Sequence, residues 1–157
     1  MPEVLKSEVA RQVQELLDLS FIEPSNSEMA SPTVCVLKGL HGGNGVRLCC
    51  DYRYLNKFTR GDAHLNPDFS DIIHRAGIAY WISFWDMRSG YYQLLVKLEH
   101  CWLTRLVTDV GTFQWVQILF RLKSASNSII RTVQQVLLPI QEFYDYYVDD
   151  LATCSDH

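Results

Sequence analysis

Apolar positions recur at helical spacing near the start of the chain. Leu5, Val9, Val13, Leu16 and Leu17 predict an amphipathic helix over residues 4–19. Pro24 and the Ser25-Asn26-Ser27 cluster end it in a loop through Ser31-Pro32. Residues 33–38 alternate as a strand does, residues 39–45 are glycine-rich and read as a turn, and residues 46–52 return. That is a β-hairpin with Lys38 and Arg47 at its ends. Pro67 and Asp68 begin a short helix through Ile72, Ile73 and Arg75, closed by Gly77. The near-continuous apolar run over residues 78–85 predicts a central strand, buried on both faces and ending on Asp86. Residues 93–97 and 105–110 read as further strands. After a turn at Asp109-Val110-Gly111, residues 112–118 cross back. From Ser124 onward Ile129, Ile130, Val133, Val136, Leu137 and Ile140 mark a second amphipathic helix, capped by Ser124 or Ser126 and bent or ended by Pro139. A last hairpin is signalled by Tyr146-Tyr147-Val148, then Asp149-Asp150, then Leu151-Ala152. Helices and strands in this mixture predict an α+β fold.

Composition narrows the class. The 157 residues suffice for one domain with a sizeable core, and 48% apolar with 20% charged residues is ordinary for a globular protein. No apolar run reaches the ~18–20 residues of a membrane span. The start carries neither a signal-peptide nor a lipidation pattern, so no membrane partner is expected. Cys35, Cys49, Cys50, Cys101 and Cys154 form no paired framework and no Cys-x-x-Cys, which predicts reduced thiols in an intracellular protein, cytoplasmic with the nucleus as alternative. The net charge of −4 opposes strong nucleic-acid binding in bulk. Its distribution softens that objection. Arg47, Arg53, Lys57 and Arg60 stand against Asp51 alone between residues 41 and 61, whereas after Arg131 there is no Lys or Arg and Glu142, Asp145, Asp149, Asp150 and Asp156 accumulate. A basic and an acidic segment in one fold suit a site joining phosphates to metal ions; two solvated faces are the plainer alternative.

The candidate chemistry lies in the carboxylates. Asp149 and Asp150 repel each other unless a cation is supplied, and hard divalent ions such as Mg2+ take oxygen ligands of this kind. Asp86 also ends a strand. If the fold joins it to the pair, the set resembles a two-metal phosphoryl-transfer centre, with ions ~3.5–4 Å apart. Gly42-Gly43-Asn44-Gly45 lacks the Gly-Lys-Ser/Thr ending of a P-loop and reads as a hairpin loop.

Several runs together resemble one family. Tyr147-Val148-Asp149-Asp150 is similar to the aromatic-x-Asp-Asp box of reverse transcriptases. Asp86-Met87-Arg88-Ser89-Gly90-Tyr91-Tyr92-Gln93 is similar to the preceding box of gypsy-like LTR retrotransposon polymerases. Arg47-Leu48-Cys49-Cys50-Asp51-Tyr52-Arg53-Tyr54-Leu55-Asn56-Lys57 resembles the run of their fingers, with Ile22-Glu23-Pro24-Ser25 and Ala30-Ser31-Pro32 leading in and Cys154-Ser155-Asp156-His157 following the acidic box. The resemblance implies reverse-transcriptase fingers and a ferredoxin-like palm bearing the carboxylate hairpin. It divides the chain into an N-terminal helix and loop (1–32), a fingers-like hairpin and linker helix (33–77) and a palm-like part (78–157). Thumb, connection and RNase H, supplied elsewhere in the Pol polyprotein, are absent.

The resemblance further implies that Asp86, Asp149 and Asp150 are catalytic and hold two Mg2+ ions, with Mn2+ as a substitute. Arg47, whose planar fork pairs two oxygens, and Lys38 would contact the triphosphate. Tyr91 would exclude a ribose 2′-hydroxyl by volume, and Phe120 would lie beside the nucleotide. Partners would be a dNTP, an RNA or DNA primer–template and the remainder of the polyprotein. The chain also departs from the pattern. Thr104-Arg105-Leu106 stands for Thr-Ala-Phe, Leu119-Phe120-Arg121-Leu122 for Pro-Phe-Gly-Leu, and the run 124–131 lacks the usual proline, phenylalanine and glutamine. Such clustering resembles drift, so the alternative to an RNA-directed DNA polymerase is a non-catalytic, degenerate retroelement remnant. An unrelated two-metal nuclease shares the carboxylates but leaves the run 47–57 and Tyr91 unexplained.

Overall fold

A computed structural model describes residues 3–37, 46–64, 68–148 and 150–155, with only the backbone of residues 3–5, 37, 46 and 47. The elements in chain order are α1 (Glu3–Asp18), β1 (Ile22–Pro24), β2 (Ser31–Leu37), β3 (Val46–Cys50), α2 (Arg53–Phe58), α3 (Phe69–Ile78), β4 (Trp81–Asp86), β5 (Leu106–Thr108), β6 (Gly111–Trp115), α4 (Ala125–Leu137), β7 (Tyr144–Tyr147) and β8 (Asp150–Ser155). Helices and strands mix as an α+β fold. The chain divides into two compact units, residues 1–59 with 95–119 and residues 60–94 with 120–157. Among the described residues no helix is long and apolar enough to cross a membrane.

The first unit is built on a five-stranded sheet in the order β1-β6-β5-β2-β3, in which only β2 and β5 run parallel. Leu106 is fully buried at its centre, among Ile22, Cys49, Phe113 and Trp115. α1 turns Val9 and Val13 inward, and Gln12 accepts a bond from Leu48 N on β3 at 3.0 Å. Two bonds to Thr104 satisfy polar groups buried in this unit. Tyr52 Oη donates to Thr104 O at 2.8 Å, and Trp115 N donates to Thr104 Oγ1 at 2.9 Å. All five cysteines are free thiols. Burial pushes Cys50 and Cys101 above the ordinary thiol range.

The second unit is built on a three-stranded antiparallel sheet in the order β4-β8-β7. α3 and α4 both pack against β7. Phe69 of α3 meets the Tyr147 ring at 5.0 Å, and Arg75 pairs with Asp145 at 3.2 Å. From α4, Gln134 donates to Tyr146 Oη. Tyr146 and Tyr147 point to opposite faces because strand side chains alternate, so the two helices cover β7 from both sides.

Four expectations change. The run 78–85 is no central strand: Ile78 ends α3, and β4 begins at Trp81, lies at the sheet edge and is exposed along its whole length. An apolar run records that a strand is to be covered, not which element covers it, and both helices of this unit sit over β7. Gly77 does not close α3 but lies inside its last turn, where an added side chain would meet nothing. Residues 93–97 form no strand. The 3₁₀ turns Gly90–Gln93 and Leu98–Thr104 flank a single bridge, Leu95 to Gln117. The strand expected over 46–52 stops at Cys50, and Asp51 then accepts Arg53 N at 3.1 Å to start α2. The glycine-rich turn, Lys38 and Pro67 lie outside the described residues.

Candidate active site: a carboxylate pair on a three-stranded sheet

Strand register decides which acidic residues meet. Asp86 is the last residue of β4 and Asp150 the first of β8, and the two are direct cross-strand partners. Tyr147 is the partner of Asp150 on the other side. Partners in a ladder share a face, so Asp86, Asp150 and Tyr147 form one row across the three strands. Asp149 lies outside the described residues. Both described carboxylates are exposed. Neither has a basic partner among the described residues, and like charges directly opposite repel. That donor set, hard oxygens with uncompensated negative charge, fits a divalent cation. Among the described residues no group of three or more metal-ligating side chains gathers.

Three residues of this unit other than glycine have positive φ: Ser89 at 54°, Arg121 at 76° and Val148 at 60°. Such conformations are costly for residues with a Cβ and cluster at functional sites. Val148, which immediately follows β7, is the most demanding, being β-branched. Ser89 follows Asp86 closely and turns the chain into the Gly90–Gln93 segment, where Gly90 is buried. Tyr91 in that segment is half-buried, and its hydroxyl lies 3.1 Å from Ser126 Oγ at the start of α4. Phe120 is half-buried just before Arg121. Arg47 lies on β3 opposite Val36, in the first unit, with its side chain undescribed; Lys38 is outside the described residues.

The substituted run at the start of α4 is not slack. Ser126 meets Tyr91, Asn127 donates to Asp62 O at 2.7 Å, and Arg131 pairs with Asp62 at 2.7 Å. One turn on, Gln134 bonds His64 at 2.9 Å and also Tyr146 Oη. Asn127, Arg131 and Gln134 recur at i, i+4 and i+7, one face of the helix. Sequence reasoning missed this row. Its polar spacing was the only available signal, and the partners at 62 and 64 sit in a segment without regular structure.

No family model matches the chain. It is 32% identical over 148 residues to the enzymatic polyprotein of figwort mosaic virus, across 94% of this chain and 22% of that protein. It is 31% identical over 151 residues to the retrovirus-related Pol polyprotein from transposon 297 of Drosophila melanogaster, across 94% of this chain and 14% of that one. The chain is homologous to one segment of these polyproteins. It spans about a fifth or less of the length of these curated relatives. Its fold is that of a portion of the foamy viral protease–reverse transcriptase solved in complex with an RNA/DNA hybrid, with a TM-score of 0.86 and 18% identity over 100% of this chain and 21% of that one. Arg121 gains meaning beside the resemblance: the position that reads glycine in the family pattern has the backbone angle glycine adopts most freely.

Proposed function

We propose that this chain is the fingers–palm part of an RNA-directed DNA polymerase of a gypsy-like LTR retrotransposon, with a ferredoxin-like palm, working within a longer Pol polyprotein. The reaction is attack of a primer 3′-hydroxyl on the α-phosphate of a dNTP, forming a phosphodiester and releasing pyrophosphate. The observation that supports this most is Asp86 standing opposite Asp150 at the strained end of the β7–β8 hairpin, in a homologue of Pol polyproteins. Asp86, Asp149 and Asp150 hold two Mg2+ ions, which when bound lower the pKa of the attacking hydroxyl and neutralise charge on the leaving pyrophosphate. Tyr91 closes the space a ribose 2′-hydroxyl needs, with its own hydroxyl tethered to Ser126. Phe120 borders the nucleotide. Arg47 and Lys38 contact the triphosphate, as their match to the fingers run implies. The primer–template is RNA or DNA; its phosphates are gripped largely by parts of the polyprotein beyond these residues.

Primer extension on an RNA template with Mg2+ tests this, in the chain itself and in a chimera where it replaces the matched segment of the figwort mosaic virus polyprotein. Extension is expected, and Asp86→Asn or Asp149→Asn should lower it by at least about 10³-fold, ~4 kcal/mol of transition-state stabilisation. Failure of both proteins to extend a primer or bind Mg2+ supports the degenerate remnant. Cleavage of the template supports a nuclease.

A further inference from the structure

Tyr91 stands in the short 3₁₀ segment Gly90–Gln93 and is half-buried, so packing covers only part of it. Its hydroxyl, the point of the side chain farthest from the backbone, lies 3.1 Å from Ser126 Oγ. A bond at that point restrains both torsions of the ring at once. Ser126 has a firm support of its own. It is the second residue of α4, beside the buried Ala125, and its neighbour Asn127 donates to Asp62 O at 2.7 Å. The bond thus ties the turn that follows β4 to the first turn of α4, across 35 positions of chain. Ser126 belongs to the run 124–131 that departs from the family pattern, so the tether comes from this chain's own residues and not from a shared motif. We infer that Ser126 is a positioning residue for sugar selection: it holds the Tyr91 ring in place, so that a ribonucleotide is refused more strongly than a free ring would refuse it. This rests on the role proposed for Tyr91. Exclusion by volume is only as strong as the obstacle is rigid. A free ring can turn aside for one hydroxyl at the cost of a torsional shift, whereas a tethered ring must also break its bond. A bond that merely fastened the turn to α4 would stabilise the fold and leave the choice of sugar unchanged.

Single-nucleotide incorporation, dNTP against rNTP on one primer–template, tests this in the figwort mosaic virus chimera and in the chain itself. Ser126→Ala should lower the ratio of kcat/KM for dNTP to that for rNTP by about three- to tenfold, the range one such bond supplies. The change should lie in a rise of rNTP incorporation, a gain that a loosened fold does not produce. Ser126→Thr, which keeps the hydroxyl, should restore the ratio. Tyr91→Phe should lose as much as Ser126→Ala, and the two together no more than either, because they remove one bond. Should Ser126→Ala fail to fold, Tyr91→Phe reads the same bond from its other end. Tyr91→Ala should lower the ratio furthest. If Ser126→Ala and Tyr91→Phe leave the ratio unchanged while Tyr91→Ala lowers it, the gate stands and the tether is overturned. An equal fall for both sugars in Ser126→Ala also overturns it, since the bond is then only structural. If Tyr91→Ala leaves the ratio unchanged, or neither protein extends a primer, the reading of the site falls first and takes this inference with it.

Discussion

The two sheets of this protein treat the same kind of residue in opposite ways. In the five-stranded sheet, Leu106 is 0% exposed, and Trp115 and Ile22 are nearly so. In the three-stranded sheet, the apolar residues of β4 face outward on both sides. Both sequences read as strands to be buried, and only one is covered by helices and strands of its own unit. Apolar content therefore measures how much cover a strand requires. Where that cover comes from is decided by topology, and β4 sits at the edge farthest from α3 and α4.

Core deletion should separate the two regions most sharply. Leu106→Ala should cost about 2–5 kcal/mol through lost transfer energy and a cavity, while Phe84→Ala should stay within about 0.5 kcal/mol. Urea denaturation of both variants checks this, and equal losses would erase the contrast. Next in size is Arg121→Gly, expected to stabilise the second unit by about 1 kcal/mol, because glycine at a φ of 76° carries no Cβ penalty. A lower urea midpoint would show that the arginine's contacts outweigh the strain. Smaller still, Asp86→Asn should raise stability by ~0.2–1 kcal/mol in metal-free buffer by removing the repulsion with Asp150. Added Mg2+ should then raise the melting temperature of the original chain but not of this variant. The smallest effect is titration of the first unit. Cys50 and Cys101 have folded pKa values raised by burial, so the unfolded chain loses their protons first. Their contribution is complete below pH ~8.5 and is lost as pH rises through the higher folded values. Chemical denaturation between pH 7 and 10 should show that decline, reduced in Cys50→Ala.

Much of this was written in local patterns. The periodicity of α1 and α4, the alternation of β2 and the aromatic-then-acidic hairpin each placed an element within a few residues of where it lies. The resemblance singled out Asp86 and Asp150, and antiparallel register brings them opposite. What escaped was set at longer range. Nothing near residues 78–86 says that both helices go to β7. The bonds from Ser126 to Tyr91 and from Asn127 and Arg131 to Asp62 join residues 35 to 69 positions apart. α2, six residues long, was too brief for a periodic signal, although Asp51 two residues before Arg53 is a recognisable starting group.

Val148 carries a consequence for how firmly the acidic corner is held. A glycine at a φ of 60° could wander among several basins; a β-branched residue has essentially one narrow well there, with a stiff χ1 as well. The hairpin tip gives up folding energy for a pivot with little play.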